Sequence, residues 1–166
     1  ILPSIASSSK NDLEELHTNG AELASVATNL LDLENNLKTF TGCSLSKTAT
    51  NLVFTDGNPK GRLFLVGEAP GAEEDRCGKP FVGPSGKHLD KMLASIGLDR
   101  KQVLISNMVF WRPPGNRTPT PFEVASCFPF VQRIIELMEP KVIVPLGGPA
   151  AKCLLEENMG IGKLRG

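Results

Sequence analysis

The chain has 166 residues, of which 40% are hydrophobic and 22% charged, and its 18 basic residues balance 18 acidic ones. This length fits one domain with an appendage, and the composition is typical of a globular protein. A net charge near zero argues against broad electrostatic coating of nucleic acid, but it leaves room for a local basic rim around a pocket. No apolar run approaches the roughly 20 residues of a membrane-spanning helix.

The cysteine usage and the start of the chain favour a cytoplasmic location. The four cysteines are widely spaced and form no CxxC pair, so free thiols in a reducing compartment are expected. Residues 1–9 lack the basic and sustained apolar segments of a signal peptide. Because no pattern indicates an oligomer, a monomer is the default expectation.

The beginning of the chain predicts an N-terminal appendage at residues 1–40, ahead of an α/β domain at residues 41–166. Residues 1–22 have weak apolar spacing and are expected to be poorly ordered. From Leu23 to Phe40, apolar residues recur at intervals of three and four, which predicts an amphipathic helix.

The rest of the chain alternates short apolar runs with helical patterns. Buried strands are predicted at 62–66, 103–107 and 142–146, with a further short strand at 51–55 and a turn at 56–59. Helices are predicted at 85–96, 122–138 and 147–157, and the Gly- and Pro-rich residues 67–84 are expected to be irregular. This alternation predicts a three-layer α/β/α fold around a central, mostly parallel four-stranded sheet.

The first candidate site motif, Gly67–Gly71, follows a predicted strand. In parallel sheets ligands bind at the carboxyl ends of the strands, and Glu68 places a carboxylate there. The glycines allow the backbone to approach a ligand closely. A tight turn with a solvated Glu68 explains the same residues.

The second motif, Gly78–Gly86, combines an isolated aromatic residue with the start of a predicted helix. Phe81 stands among Gly, Pro and polar residues, where a ring can stack on a nucleobase. It can equally fill the core from the loop side. The amides of Gly83–Gly86 suit a phosphate.

The third motif is Asn107, which ends a predicted strand. Its amide has a donor and an acceptor, and one fixed amide can satisfy the O4 and N3–H edge of uracil, whereas cytosine presents the opposite pattern. An Asn that closes a strand-end turn is the alternative. The following loop, Trp111–Pro119, carries two arginines that could hold a phosphate backbone or form surface ion pairs.

In this order, the segments GEAPGAEED, GKPFVGPSG, ISNMVFWRPPGNRTPTP and VIVPLGG resemble the uracil-DNA glycosylase superfamily, most closely its family-four branch. The resemblance runs from about Cys43 to Gly166. It implies a DNA-repair enzyme that flips uracil out of DNA and hydrolyses its N-glycosidic bond, starting base excision repair. The implied partner is uracil-containing DNA.

The resemblance also implies which residues are catalytic. Glu68 and Asn107 would take that role, with Gly67 and Glu68 near the uracil and the attacking water, and Asn107 at its O4 and N3–H edge. Better-known uracil glycosylases have an Asp where Ala69 stands. Ala69 is normal for the family-four branch and would contact the substrate, but it leaves the water-activating group open.

Further residues are implied to bind the base or the DNA. Phe81 would stack on the uracil ring, and Glu74 would fill the space next to uracil C5 and so exclude the methyl group of thymine. The implied contacts to DNA come from the start of a helix and the loop after Trp111: Ser85, Arg112, Asn116 and Arg117.

Family-four enzymes usually hold a 4Fe-4S cluster on four cysteines, and this sequence departs from that pattern. The matching positions are Phe40, Cys43, Trp111 and Cys127. Because such a cluster requires four thiolates, we expect no cluster and no other cofactor. Phe40 and Trp111 would fill the space by apolar packing.

The family continues past a segment like residues 162–166 to a His-Pro motif whose His donates to uracil O2. Neither His17 nor His88 matches it. Loss of an oxyanion donor costs roughly 100- to 1000-fold in rate, so the chain as written is expected to be weakly active or inactive. The alternative function is a non-catalytic nucleotide- or nucleic-acid-binding α/β domain, while a phosphate-binding transferase is disfavoured because no P-loop is present.

Overall fold

The computed structural model describes residues 19–164. Residues 19–25 are helical, and helix α1 (Leu30–Thr39) follows after a break. The break occurs because Asn29 takes an extended conformation and its side chain accepts a hydrogen bond from the Asp32 amide, which starts a new helix. The single helix predicted from residue 23 is therefore two. Residues 1–18 lie outside the described part, and 19–22, expected to be poorly ordered, are helical.

The remaining elements include the three buried strands and three helices predicted from residue 62 onward, in that order and with some shifted bounds. They are a 3₁₀ turn (Ser44–Lys47), β1 (Asp56–Gly57), β2 (Leu63–Gly67), α2 (Ala72–Cys77), α3 (Pro84–Ser95), β3 (Val103–Asn107), a 3₁₀ turn (Pro114–Asn116), α4 (Pro121–Met138), β4 (Val142–Pro145), α5 (Gly148–Leu155) and α6 (Ile161–Leu164).

Within residues 19–164 the sheet has four strands in the order β1-β3-β2-β4. β2 pairs in parallel with β3 and with β4, whereas β1 pairs antiparallel with β3. The register places Gly67 at the end of β2 opposite Asn107 at the end of β3. The predicted α/β fold with a mostly parallel sheet is confirmed.

Two local predictions were wrong. Residues 51–55 are not a strand, because pairing begins at Asp56 and Gly57, which were predicted to be part of a turn. Residues 67–84 are not wholly irregular, since they contain α2. The acidic residues of its first turn, Glu73 to Asp75, stabilise α2 because negative charge is favourable at the positive end of a helix. Gly78 ends α2 in the left-handed conformation.

Side chains alternate between the two faces of the sheet and form two cores. On one face Phe64, Val66 and Leu104 pack with α1 and α4, and on the other Leu65 and Ile105 pack with α3. This gives the predicted three layers. Leu33 and Leu37 of α1 are fully buried in the first core, so the helical part of the predicted appendage packs as part of the α/β domain.

None of the helices in residues 19–164 is both long and apolar enough to cross a membrane.

Candidate active site

A cleft of about 390 Å³ opens at the carboxyl ends of β2 and β3. It is formed by the segment after β2, the start of α3, the end of β3 and the loop before α4. The residues that line it are Ala69, Gly71, Ala72, Glu73, Glu74, Phe81, Gly83, Pro84, Ser85, Asn107 and Asn116. Three motifs that are far apart in the sequence therefore meet at one place, where parallel sheets bind ligands.

Asn107 is the floor of this cleft and is 1% exposed. Within the described residues, neither its Oδ1 nor its Nδ2 has a hydrogen-bond partner. Buried polar groups in folded proteins are nearly always paired, and an unpaired one costs about 1–3 kcal/mol. The amide is thus a buried donor and acceptor pair that is available to a ligand, and not the closure of a strand-end turn.

Gly67 allows the Asn107 amide and the Phe81 ring to lie close to its Cα, because it has no side chain. A Cβ atom there would lie 2.5 Å from Asn107 Oδ1 and 2.5 Å from Phe81 Cζ, well inside van der Waals contact. Any side chain would therefore displace the amide or the ring. Gly67, Asn107 and Phe81, which we call the amide pocket, form one tightly fitted group.

The loop that carries Phe81 is held in an unusual conformation. Phe81 has a φ of 55°, in the left-handed region that non-glycine residues rarely occupy. The Glu74 carboxylate accepts hydrogen bonds from the amides of Val82 (2.9 Å) and Gly83 (2.8 Å). Glu74 also lines the cleft, so the same carboxylate that fixes the loop after the ring borders the pocket. Phe81 is half-buried and packs against the α3-side core, so it both lines the cleft and contacts the core.

Glu68 and Ser85 are placed differently from the amide pocket. Glu68 follows β2 directly and is half-buried, but its side chain is not among those that line the cleft, and its carbonyl accepts from the Val109 amide at 3.3 Å. Ala69 and Ser85 both line the cleft, with Ser85 exposed in the first turn of α3.

The loop between β3 and α4 uses its polar side chains to hold its own shape. Arg112 Nε donates to Asn116 Oδ1 at 2.7 Å, and Asn116 reaches the cleft. Arg117 donates to both carboxylate oxygens of Glu123, at 2.8 and 2.6 Å. These hydrogen bonds lower the pKa of the Glu123 carboxyl and raise the pKa of Arg117. Arg117, the predicted DNA contact farthest along the loop, thus forms an ion pair, the alternative that the sequence left open, but its partner Glu123 is buried.

The four positions that match the family's iron ligands lie together but do not form a donor set for a cluster. Phe40, Cys43, Trp111 and Cys127 are all buried in the same core, and the Phe40 ring lies 5.0 Å from that of Phe130. Two positions hold aromatic rings with no donor atom. Burial raises the pKa of Cys127 well above its usual range, while the thiol of Cys127 donates to Cys43 and lowers the pKa of Cys43. Across residues 19–164 no three His, Cys, Asp or Glu residues converge as a metal site.

Arg100, which contacts the Phe81 loop from the other side, was not predicted from the sequence. Its guanidinium donates to the carbonyls of Pro80 and Phe81 and to the carboxylates of Asp56 and Asp90. No local motif marks Arg100, because its partners lie 10 to 44 residues away in the sequence.

Known proteins resemble this chain over most of its length. The type-4 uracil-DNA glycosylase of Archaeoglobus fulgidus is 49% identical over 121 residues, which cover 73% of this chain and 61% of that protein. The type-4 enzyme of Thermotoga maritima is 43% identical over 135 residues, or 81% of this chain and 70% of that protein. The type-5 uracil-DNA glycosylase of Thermus thermophilus is 35% identical over 114 residues, or 60% and 52%.

The chain spans 61% of the length of the first of these relatives and 70% of the second. The sequence model of the uracil DNA glycosylase superfamily matches residues 54–165, a range that contains the amide pocket and the loops around it. On these matches, the chain belongs to the uracil-DNA glycosylase superfamily.

Proposed function

We propose that this protein removes uracil from DNA by hydrolysing its N-glycosidic bond. The observation that carries the proposal is the Asn107 amide, which is 1% exposed, lines the cleft and has no partner for its donor or its acceptor within residues 19–164. A buried pair of this kind matches the O4 acceptor and N3–H donor of uracil. Cytosine would place its amino donor against the Asn107 amide donor and leave both unsatisfied.

The neighbouring groups supply the remaining recognition. Phe81 would stack on the flipped base, and Gly67 would let the base and the amide approach closely. The Glu74 carboxylate would border uracil C5 and exclude the methyl group of thymine. It is suited to this because two backbone amides hold it in one orientation.

The reaction adds water across the bond between the sugar C1′ and the uracil N1. The bond breaks towards an oxocarbenium-like sugar and a uracil anion, water adds to C1′, and the anion takes up a proton. Asn107 would stabilise charge at uracil O4, and Glu68, directly after β2, would orient the water or face the cationic sugar. Because Ala69 stands where other uracil glycosylases have an Asp, Glu68 is the carboxylate that the segment Gly67–Gly71 provides.

The phosphates of the DNA strand would be held at the rim of the cleft. Ser85, in the exposed first turn of α3, and Asn116 line the cleft, and Arg112 adds a positive charge beside Asn116. Arg117 would act mainly by fixing this loop, because Glu123 already occupies both arms of its guanidinium. Only the exposed edge of the Arg117 guanidinium remains available to a phosphate.

The cofactor of the type-4 relatives is proposed to be absent. Only Cys43 and Cys127 could donate at the four matching positions, and a cluster requires four thiolates. Anaerobically purified protein, incubated with iron and sulfide, is expected to show no visible absorbance of an iron–sulfur chromophore. The double variant Phe40→Cys/Trp111→Cys restores the ligand set and is the positive control. A chromophore in the wild type would contradict the proposal.

The function is tested by uracil release from a single-stranded oligonucleotide with one uracil. Asn107→Ala should remove release, or reduce it by about 100-fold or more, and Asn107→Asp should shift the preference between uracil and cytosine. Asn35→Ala, on an exposed face of α1, is the matched control and should leave both unchanged.

The same oligonucleotide distinguishes the proposed glycosylase activity from the alternative function, non-catalytic binding of nucleic acid. Uracil-dependent binding without release, lost in Asn107→Ala, would favour the non-catalytic binding domain. Neither release nor uracil-dependent binding by the wild type would contradict both. The monomeric state expected from the sequence stays a prediction, which sedimentation velocity would test.

A further inference from the structure

We propose that Arg100 is a positioning residue that fixes the Phe81 ring over the amide pocket by binding the main chain of the Phe81 loop. The consequence for uracil recognition rests on the proposed function, whereas the anchoring itself does not. Arg100 lies outside the cleft, between α3 and β3, and its side chain is 23% exposed. It acts on the cleft only through other residues.

The guanidinium contacts the loop and two carboxylates at once. Nη1 donates to the Pro80 carbonyl at 3.1 Å, and Nη2 donates to the Phe81 carbonyl. Nη1 also donates to Asp56 at 2.9 Å, and Nε donates to Asp90 at 2.7 Å. The two carboxylates, from β1 and α3, orient the planar fork, and the fork then holds two consecutive carbonyls.

The Phe81 backbone requires such a restraint. A φ of 55° lies in the left-handed region, which is unfavourable for a non-glycine residue, so the isolated loop would favour another conformation and carry the ring with it. Arg100 binds the Pro80 carbonyl, which precedes the Phe81 Cα, and the Phe81 carbonyl, which follows it, and Glu74 binds the next two amides, those of Val82 and Gly83. The loop is clamped on both sides of Phe81. Gly86 completes the fit, because a Cβ there would collide with the Phe81 carbonyl.

Lysine would not replace this arrangement. Its ammonium is a single point on a flexible stem, whereas the arginine fork donates in several fixed directions within one plane. Lys79 already lies near Asp56, but at 4.0 Å and largely exposed, and it makes no contact with the Phe81 carbonyl. Arg100→Lys therefore keeps the positive charge but cannot make the four hydrogen bonds of the guanidinium at once.

Arg133→Lys is the matched control. Arg133 is 25% exposed, donates to the Ala27 carbonyl through Nε (3.1 Å) and Nη2 (2.7 Å), and pairs with Glu136. It thus makes the same kinds of contact as Arg100, on α4 and away from the cleft. Both substitutions should lower the unfolding temperature by similar amounts.

The first readout is the aromatic NMR signal of Phe81 in the free protein, assigned by its loss in Phe81→Leu. In Arg100→Lys the signal should broaden or move towards the position of an exposed phenylalanine, and in Arg133→Lys it should not change. A Phe81 signal that is unchanged in Arg100→Lys would overturn the proposal. Asp90→Asn, at an exposed partner of the guanidinium, should give a weaker change in the same direction if Arg100→Lys folds poorly.

The second readout is uracil release under single-turnover conditions. Arg100→Lys should reduce the rate about 10- to 100-fold, while Arg133→Lys stays at the wild-type rate. In a Phe81→Leu background, Arg100→Lys should have little further effect, because the group it positions is gone. Effects that multiply would assign Arg100 a role independent of Phe81 and overturn the proposal. Absence of both uracil release and uracil-dependent binding in the wild type would instead contradict the proposed function, and the NMR result would still decide whether Arg100 anchors the ring.

Discussion

Asn107 and Trp111 are four positions apart along the chain, and the groups of residues around them differ in whether their buried polar atoms have partners. Asn107, in the amide pocket, keeps two polar atoms without partners among the described residues. Four residues later Trp111 joins Phe40, Phe110 and Phe130, which we call the aromatic cluster, where ring packs on ring at 5.0 to 6.4 Å.

The difference indicates which group serves binding and which serves stability. An unpaired buried amide opposes folding by about 1–3 kcal/mol, so its retention points to a ligand that pairs with it. The aromatic cluster has no such open group and stabilises the fold by burial and by edge-to-face contacts. Phe40 and Trp111 stand at two of the positions that the family-four resemblance assigns to cysteine ligands, and their rings pack in this core. Substitutions in the amide pocket should therefore mainly reduce uracil release, whereas substitutions in the aromatic cluster should mainly reduce stability.

The largest expected effect is on stability, from Phe40→Ala. The ring is 3% exposed and packs on Phe130, so its loss should destabilise the protein by about 3–5 kcal/mol. Urea unfolding measures this. Uracil release per folded molecule should stay close to the wild type, since Phe40 does not line the cleft. A large loss of release at full folding would break the separation between the two groups.

Gly67→Ala should have the next largest effect, on activity. The new Cβ meets Asn107 Oδ1 and Phe81 Cζ at 2.5 Å, so both groups must move. We expect uracil release to fall about 100-fold, equivalent to roughly 2.7 kcal/mol in the transition state. Gly160→Ala, whose Cβ would have no atom within 4 Å in the described part of the chain, is the matched control. Equal activity of the two variants would contradict the fit of the amide pocket.

Asn107→Leu should separate function from stability most directly. The substitution replaces the amide by an apolar side chain of the same branched shape, so it should raise the free energy of unfolding by about 1 kcal/mol while abolishing uracil recognition. Ser106→Ala is the contrasting variant. Ser106 is equally buried, but its hydroxyl donates to the Phe54 carbonyl at 2.6 Å, and its loss should destabilise by about 1 kcal/mol. Destabilisation by both would mean that the Asn107 amide is satisfied in solution.

The positions of the amide pocket residues were easier to predict from the sequence than those of the residues that hold the surrounding loops. Strand periodicity put Gly67 and Asn107 at strand ends, and the parallel register then brings them together. Arg100 was not predictable in the same way, because a guanidinium that binds carbonyls of a distant loop leaves no local pattern. The helix α2 was missed because capping by Gly78 and the acidic first turn outweigh the surrounding glycines and prolines. The role of Arg117 depended on the buried Glu123, which a helix pattern alone would place at the surface.

The smallest expected effect is the pH dependence of the Arg117–Glu123 pair, which belongs to the stabilising side of the comparison. Because Arg117 lowers the pKa of Glu123 in the folded state, the ionised carboxylate stabilises the protein fully above its unfolded pKa of about 4.3. That stabilisation is lost as the pH falls through the lower folded pKa. Glu123→Gln should therefore reduce the Tm by about 2–6 °C at pH 7, and the difference from the wild type should shrink below about pH 4. Thermal unfolding from pH 3 to 7 measures it. A difference that stays constant over this range would contradict a contribution from the charge of the carboxylate, since glutamine keeps an oxygen that can accept from the Thr120 amide.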